Sequence, residues 1–190
     1  MRTGAVLLAL AFTLSAAGPF IATPQLTATP PPTAVPPLTA APPLTVPFFR
    51  QEKNGCGAAS LAMVAHYWRP NEAPAHAAIY ARLIDAERRG ILLSALKTYF
   101  EEIGFQAFTL RGQWADLEQH LAKGRPLIVA LKAGRSPRLH FAVLTGIEEH
   151  HVWLNDPTRK AAQRTSRDRF EKQWSGADRW MLLASPRPSR

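Results

Sequence analysis

The chain contains one cysteine, Cys56, and it opens an Ala-rich run, Cys56–Trp68 (CGAASLAMVAHYW), directly behind the turn signal Asn54-Gly55. A thiolate at the first turn of a helix is favoured by the positive end of the helix dipole and by a neighbouring imidazolium, which is what sulfur needs to act as a nucleophile. Gly57 removes a side chain beside the sulfur, so a substrate carbonyl is expected to approach there. A general base within hydrogen-bond reach is the second requirement. His140 is the candidate, because it lies in the alternating stretch Leu139–Ile147, where a strand would hold its ring opposite the helix start. Asp156 follows 16 positions later, at the end of the next expected strand, and Pro157 biases it toward extended backbone. Antiparallel pairing would return its carboxylate to the histidine, fixing the tautomer and stabilising the charged ring. Asn155 is the fallback for that orienting role. Gln51, five positions before Cys56, can supply a side-chain N–H that joins the backbone N–H of Cys56 as an oxyanion donor.

Each residue also has a plainer reading. Cys56 fits an inert buried thiol, His140 an edge-strand histidine, Asp156 a turn whose carboxylate bonds its own backbone, and Gln51 a surface amide. His150 and His151 sit at an expected hairpin turn, and His66, His76 and His120 have no histidine partner at helical i, i+4 spacing. No helical zinc motif is present, and the chemistry outlined for Cys56 needs neither metal nor cofactor.

The elements that must position these residues follow from hydrophobic period and from turn residues. Helices are predicted over Cys56–Trp68, ended by Pro70, over Ala73–Arg88, and over Ile91–Ile103 with Leu92, Leu96, Tyr99 and Ile103 as one stripe. The period then changes. Phe105–Leu110 reads as a strand, Trp114–Ala122 as a short amphipathic helix and Pro126–Lys132 as a buried strand. In Leu139–Ile147, Leu139, Phe141 and Val143 share one face and His140, Ala142 and Leu144 the other. Val152–Asn155, a helix near Ser166–Trp174 and a last strand near Trp180–Ala184 complete an α+β order without internal repeats.

Composition divides the chain. Residues 1–17 have the form of a secretory signal: Arg2, then the apolar run Ala5–Leu14, then Ser15, Ala16 and Ala17 as a small-residue cleavage region. The run is too short to span a bilayer, so the mature protein is expected to be exported, periplasmic or extracellular, without stable membrane insertion. Residues 18–45 carry no charge and are rich in Pro, Thr and Ala, the composition of an extended linker. Ten of the 17 prolines lie between Pro19 and Pro47. Residues 46–186 remain for one folded domain, long enough for a single hydrophobic core. A lone thiol kept in an oxidising compartment implies either burial or use. The net charge of +9 falls on the domain, most densely from Arg159 to Arg190. No zinc-finger spacing, RNP-like motif or uninterrupted basic run accompanies it, which argues against nucleic acid, and contact with an anionic envelope polymer fits better.

The segment Val46–Val64 (VPFFRQEKNGCGAASLAMV) resembles the papain-like bacteriocin-processing peptidases, which cleave leader peptides after double glycine. The resemblance continues through LHFAVLTGI around His140 and VWLNDP around Asp156. RFEKQW, Arg169–Trp174, is similar to the exported stand-alone relatives of that family. It covers Val46–Ala184 and implies a papain-like fold, with an N-terminal helical part carrying the Cys helix packed on a C-terminal antiparallel sheet. It also implies a cysteine peptidase in which Cys56, His140, Asp156 and Gln51 act as nucleophile, base, orienter and oxyanion donor. The family often separates glutamine and cysteine by six positions rather than the five found here. A catalytically idle peptide-binding module of the same fold, or an amidase or transferase acting on cell-wall peptides, is also compatible with these residues. The expected partner is a peptide or protein substrate, and the chain is expected to be monomeric. In that family the domain usually belongs to a transporter and faces the cytosol, so an exported chain does not inherit the double-glycine substrate.

Overall fold

A computed structural model describes residues 42–188 apart from 86, 88, 89 and 133. The signal peptide and most of the linker expected from the sequence lie outside the described residues. Five helices and six strands alternate in the order α1 (Cys56–Trp68), α2 (His76–Leu83), α3 (Leu93–Glu102), β1 (Phe105–Arg111), α4 (Trp114–Ala122), β2 (Leu127–Leu131), β3 (His140–Ile147), β4 (His151–Asn155), β5 (Gln163–Ser166), α5 (Arg167–Ser175) and β6 (Trp180–Pro186). The strands form one sheet in the order β1-β6-β2-β3-β4-β5, with antiparallel neighbours throughout.

The alternation along β3 survives, but both of its faces are buried. Phe141 and Val143 join a core built by α1, α2 and α3, whereas Ala142 and Leu144 join a second core built by α4 and α5. The sheet is therefore the middle of three layers, which is why β2 (LIVAL) is apolar at every position and fully buried. Helix α1 is the centre of the first layer. Its residues from Gly57 to Ala65 are all buried, and small side chains (Gly57, Ala58, Ala59, Ala62, Ala65) let it approach the sheet closely. Its far end is stitched down by Tyr67 Oη, which donates to the Gly124 carbonyl at 3.0 Å, and by Trp68 Nε1, which donates to the Ala184 carbonyl at 3.0 Å.

Several boundaries differ from expectation, each for a local reason. Helix α2 is shorter than Ala73–Arg88, because Ala75 is extended ahead of it and Ile84 is extended behind it. Asp85 then bridges to Gly90. Leu92 is the extended N-cap of α3 and is 41% exposed, so the buried stripe is Leu96, Tyr99 and Phe100. Strand β5 was not anticipated: its sequence QRTS buries only Thr165 and offers no apolar alternation to read. The α4 boundaries agree with expectation and carry a capping box, in which the backbone N–H of Gln113 donates to Asp116 Oδ2 at 2.7 Å.

The fold includes residues ahead of Val46. A register shift between Leu144 and Gly146 marks a bulge in β3, and the Leu44 backbone N–H donates to the Thr145 carbonyl there at 2.8 Å. A side chain at Gly146 would come within 2.9 Å of Pro43 Cβ, so glycine is needed for this close approach.

Candidate active site

Cys56 is the first residue of α1, and the turn before it is rigid. Asn54 takes a left-handed φ of 60°, and the Gly55 N–H bonds back to the Glu52 carbonyl at 2.9 Å. Tyr80 of α2 closes over this turn: its hydroxyl donates to the Lys53 carbonyl at 2.9 Å, and a Cβ on Gly55 would come within 2.7 Å of its ring. Gln51 lies at the start of the same turn, and its N–H donates to the Pro157 carbonyl at 3.1 Å. That bond ties the segment carrying Gln51 to the loop carrying Asp156.

His140 is the first residue of β3, at the end of the sheet nearest the start of α1. Its Nε2 bonds Asp156 Oδ1 at 2.8 Å, which leaves Nδ1 for the side of the cleft that Cys56 also lines. Burial of the ring opposes its charge, but the bonds to Asp156 and Cys56 outweigh burial and raise its pKa from 6.5 to about 9. Burial likewise opposes ionisation of Asp156, and the bonds from His140 and Thr158 overcome it, holding the carboxylate below its ordinary range. The site thus favours an imidazolium beside a carboxylate at neutral pH.

Asp156 is itself held from several directions. Oδ1 also accepts from the Thr158 N–H at 2.9 Å and from the Thr158 hydroxyl at 2.7 Å, while the Arg159 guanidinium stands 3.6 Å from Oδ2. One oxygen of Asp156 therefore makes both the turn contact to Thr158 and the contact to the histidine ring. Sequence reasoning missed Thr158, although an Asx turn at Asp-Pro-Thr was a signal for it. Asn155, the fallback orienter, is committed elsewhere: it donates from Nδ2 to the Val46 carbonyl at 3.0 Å and accepts the Ala162 N–H on Oδ1 at 2.8 Å. Gly57 does not open space for a substrate. A Cβ there would meet Ile91 Cβ at 3.2 Å and Leu96 Cδ2 at 3.3 Å, so this glycine packs α1 against α3 and the segment before it.

Gln51, Cys56 and His140 line one cleft of about 700 Å³, whose walls include Ile91, Leu92 and Phe141. Oε1 of Gln51 is buried there without a hydrogen-bond partner. Among the described residues, no group of three or more His, Cys, Asp and Glu side chains is arranged to hold a metal ion, and no helix is long and apolar enough to cross a membrane. His150 is exposed, and His66 spends its Nε2 on the Pro74 carbonyl at 3.2 Å.

A helix-borne cysteine and a strand-borne histidine thus line one cleft, and comparison with known proteins gives the fold as papain-like. Residues 43–179 match the Peptidase C39 like family, and the chain belongs to it. Among solved structures it is similar to the peptidase domain of Streptococcus ComA, a bifunctional ABC transporter involved in quorum sensing, at 22% identity and a TM-score of 0.60, covering 74% of this chain and 98% of that one. It is similar also to a double glycine motif protease from an AMS/PCAT transporter in complex with its leader peptide, at 22% identity and a TM-score of 0.59, covering 76% and 94%. A C39-like chain from Bacillus anthracis matches at 18% identity and a TM-score of 0.58, covering 76% and 96%. No curated protein matches the chain. The family and the fold support a peptidase-type function.

Proposed function

We propose that this protein is an exported cysteine peptidase. The observation that carries the reading is the His140 ring, held at 2.8 Å by the Asp156 carboxylate and lining one cleft with Cys56 at the start of α1. Cys56 sulfur, having given its proton to His140, attacks the carbonyl carbon of a peptide bond. The oxyanion is met by the Cys56 N–H and the Gln51 side-chain amide. As the tetrahedral species collapses the C–N bond breaks, His140 passes its proton to the leaving amine, and a thioester on Cys56 remains. Water then attacks the thioester, His140 takes the water's proton and returns one to the departing sulfur, and the acid product leaves.

The substrate is a peptide or protein segment, in keeping with the leader peptide bound by the transporter-linked neighbour. The apolar cleft walls at Ile91, Leu92 and Phe141 favour an apolar side chain near the scissile bond. Export rests on the sequence of residues 1–17 alone.

Cleavage of a peptide library by wild type, set against Cys56→Ala and His140→Ala, tests the reading. Each substitution is expected to lower kcat by on the order of 10⁴-fold or more with the thermal midpoint nearly unchanged. Substantial turnover in either variant would remove that residue from its role. Iodoacetamide should label Cys56 promptly in the folded chain and more slowly in His140→Ala, whereas labelling only after unfolding would leave a peptide-binding module.

A further inference from the structure

The cleft at Cys56 shares two wall residues with a basic trough that no step of hydrolysis uses. His140 and Thr158 line the cleft and also a second depression, which runs past Asp156 and Arg159 to Arg169 and Gln173. Arg169 and Gln173 line a third, with Lys132 and Lys172, and Arg159 and Gln163 line a fourth, with Lys160. Arg169, Lys172 and Gln173 are three and four positions apart on α5, so they share one face of that helix. Lys132 is brought alongside by its backbone N–H, which donates to the Gln173 carbonyl at 2.9 Å.

Five cations therefore line these depressions, and among their described lining residues the only acid is Asp156, already engaged by His140, Thr158 and Arg159. Lys132, Arg169 and Lys172 have no acidic partner among the described residues, although Glu171 on the same helix pairs with Arg167 and Arg179. Like charges gathered without counter-charges repel one another, and a ligand bearing negative charge relieves that repulsion.

We propose that the trough receives an acidic stretch of the peptide substrate, its carboxylates facing Lys132, Arg169 and Lys172 while its apolar portion occupies the cleft at Cys56. A peptide held in the cleft brings its flanking residues to the wall that cleft and trough share at His140 and Thr158, and acidic residues there supply the negative charge. A phosphate polymer supplies the charge alone. This inference rests on the peptidase reading for the identity of the cleft, but its test does not depend on turnover.

Fluorescence anisotropy on the full chain carrying Cys56→Ala, which binds without cutting, compares a labelled Glu-Gly repeat peptide with a Gln-Gly repeat. The acidic peptide is expected to bind at least about tenfold more tightly, and the difference should shrink as salt is raised. Combining Lys132→Ala, Arg169→Ala and Lys172→Ala should remove about tenfold of that affinity, each solvent-facing charge contributing modestly. The single reversal Arg169→Glu, with its thermal midpoint measured alongside, should act in the same direction. Equal binding of the two peptides, or unchanged binding of the acidic one to the triple variant, would overturn the proposal. So would tighter binding of inorganic polyphosphate than of the acidic peptide, because the trough would then serve a phosphate polymer. Loss of turnover in Cys56→Ala and His140→Ala bears only on the peptidase reading.

Discussion

The His140–Asp156 pair sets the protonation state of the site, and its pH dependence follows with a definite sign. Because the ring's pKa is raised to about 9, the stability drawn from its charge is complete below 6.5 and is lost as pH climbs through about 9. Asp156 works in the opposite sense: its contribution is present above the ordinary carboxylate range and is lost as pH falls through its lowered value. In the proposed mechanism kcat/KM should fall as pH rises through about 9. Asp156→Asn should move that alkaline limb downward by about 1–3 pH units, the usual effect of removing an adjacent opposite charge. A pH–rate profile with the limb unmoved would separate Asp156 from the ring's charge. Gln51→Ala should lower kcat by about 10²–10³-fold with little change in KM, the signature of a donor used in the transition state. The four candidate residues were legible as types and spacings, because nucleophile, base, orienter and oxyanion donor each demand particular side chains. Thr158, the commitment of Asn155 to Val46 and Ala162, and the packing role of Gly57 were not, because each depends on which segments close over one another in space.

Strands and helices were readable where apolar period is strong, and failed to be where it is weak. Strand β2 and helix α4 announce themselves, whereas β5 pairs through its backbone with β4 and has almost no apolar sequence to betray it. Helix α5 carries a polar face with two large rings beneath it: Phe170 and Trp174 are fully buried and stacked at 5.6 Å, and Trp174 Nε1 donates to the Trp180 carbonyl at 3.0 Å. Trp174→Ala should cost about 3–5 kcal/mol and lower the thermal midpoint accordingly. It removes the wedge that holds α5 to the sheet, so Arg169 and Lys172 on that helix would lose their fixed positions too. Gly57→Ala should destabilise by about 1–3 kcal/mol through contact with Ile91 and Leu96, and calorimetry can read it directly.

At the scale of the whole domain, two cores meet across one sheet, and Leu44 packs against both of them. A chain shortened to begin at Val46 loses that side chain and the bond from Leu44 to the bulge at Thr145. Such a chain should unfold with a stability lower by about 1–3 kcal/mol than one retaining residues 42–45, measured by denaturant titration. The composition boundary drawn from charge and proline content lies slightly inside the structural one, because Pro43 and Leu44 look like linker and behave as part of the fold.

Strand order carries a further consequence. Trp180–Pro186 lies between β1 and β2, sending Leu182 and Ala184 into one core and Met181 and Leu183 into the other. A ribosome issues this strand after the other five, so β1 and β2 are made well before the neighbour they share. Until it emerges β1 has no partner in the sheet and β2 has one open edge, whereas β3, the strand that carries His140 and lies chiefly beneath the Cys56 helix, already has both of its neighbours.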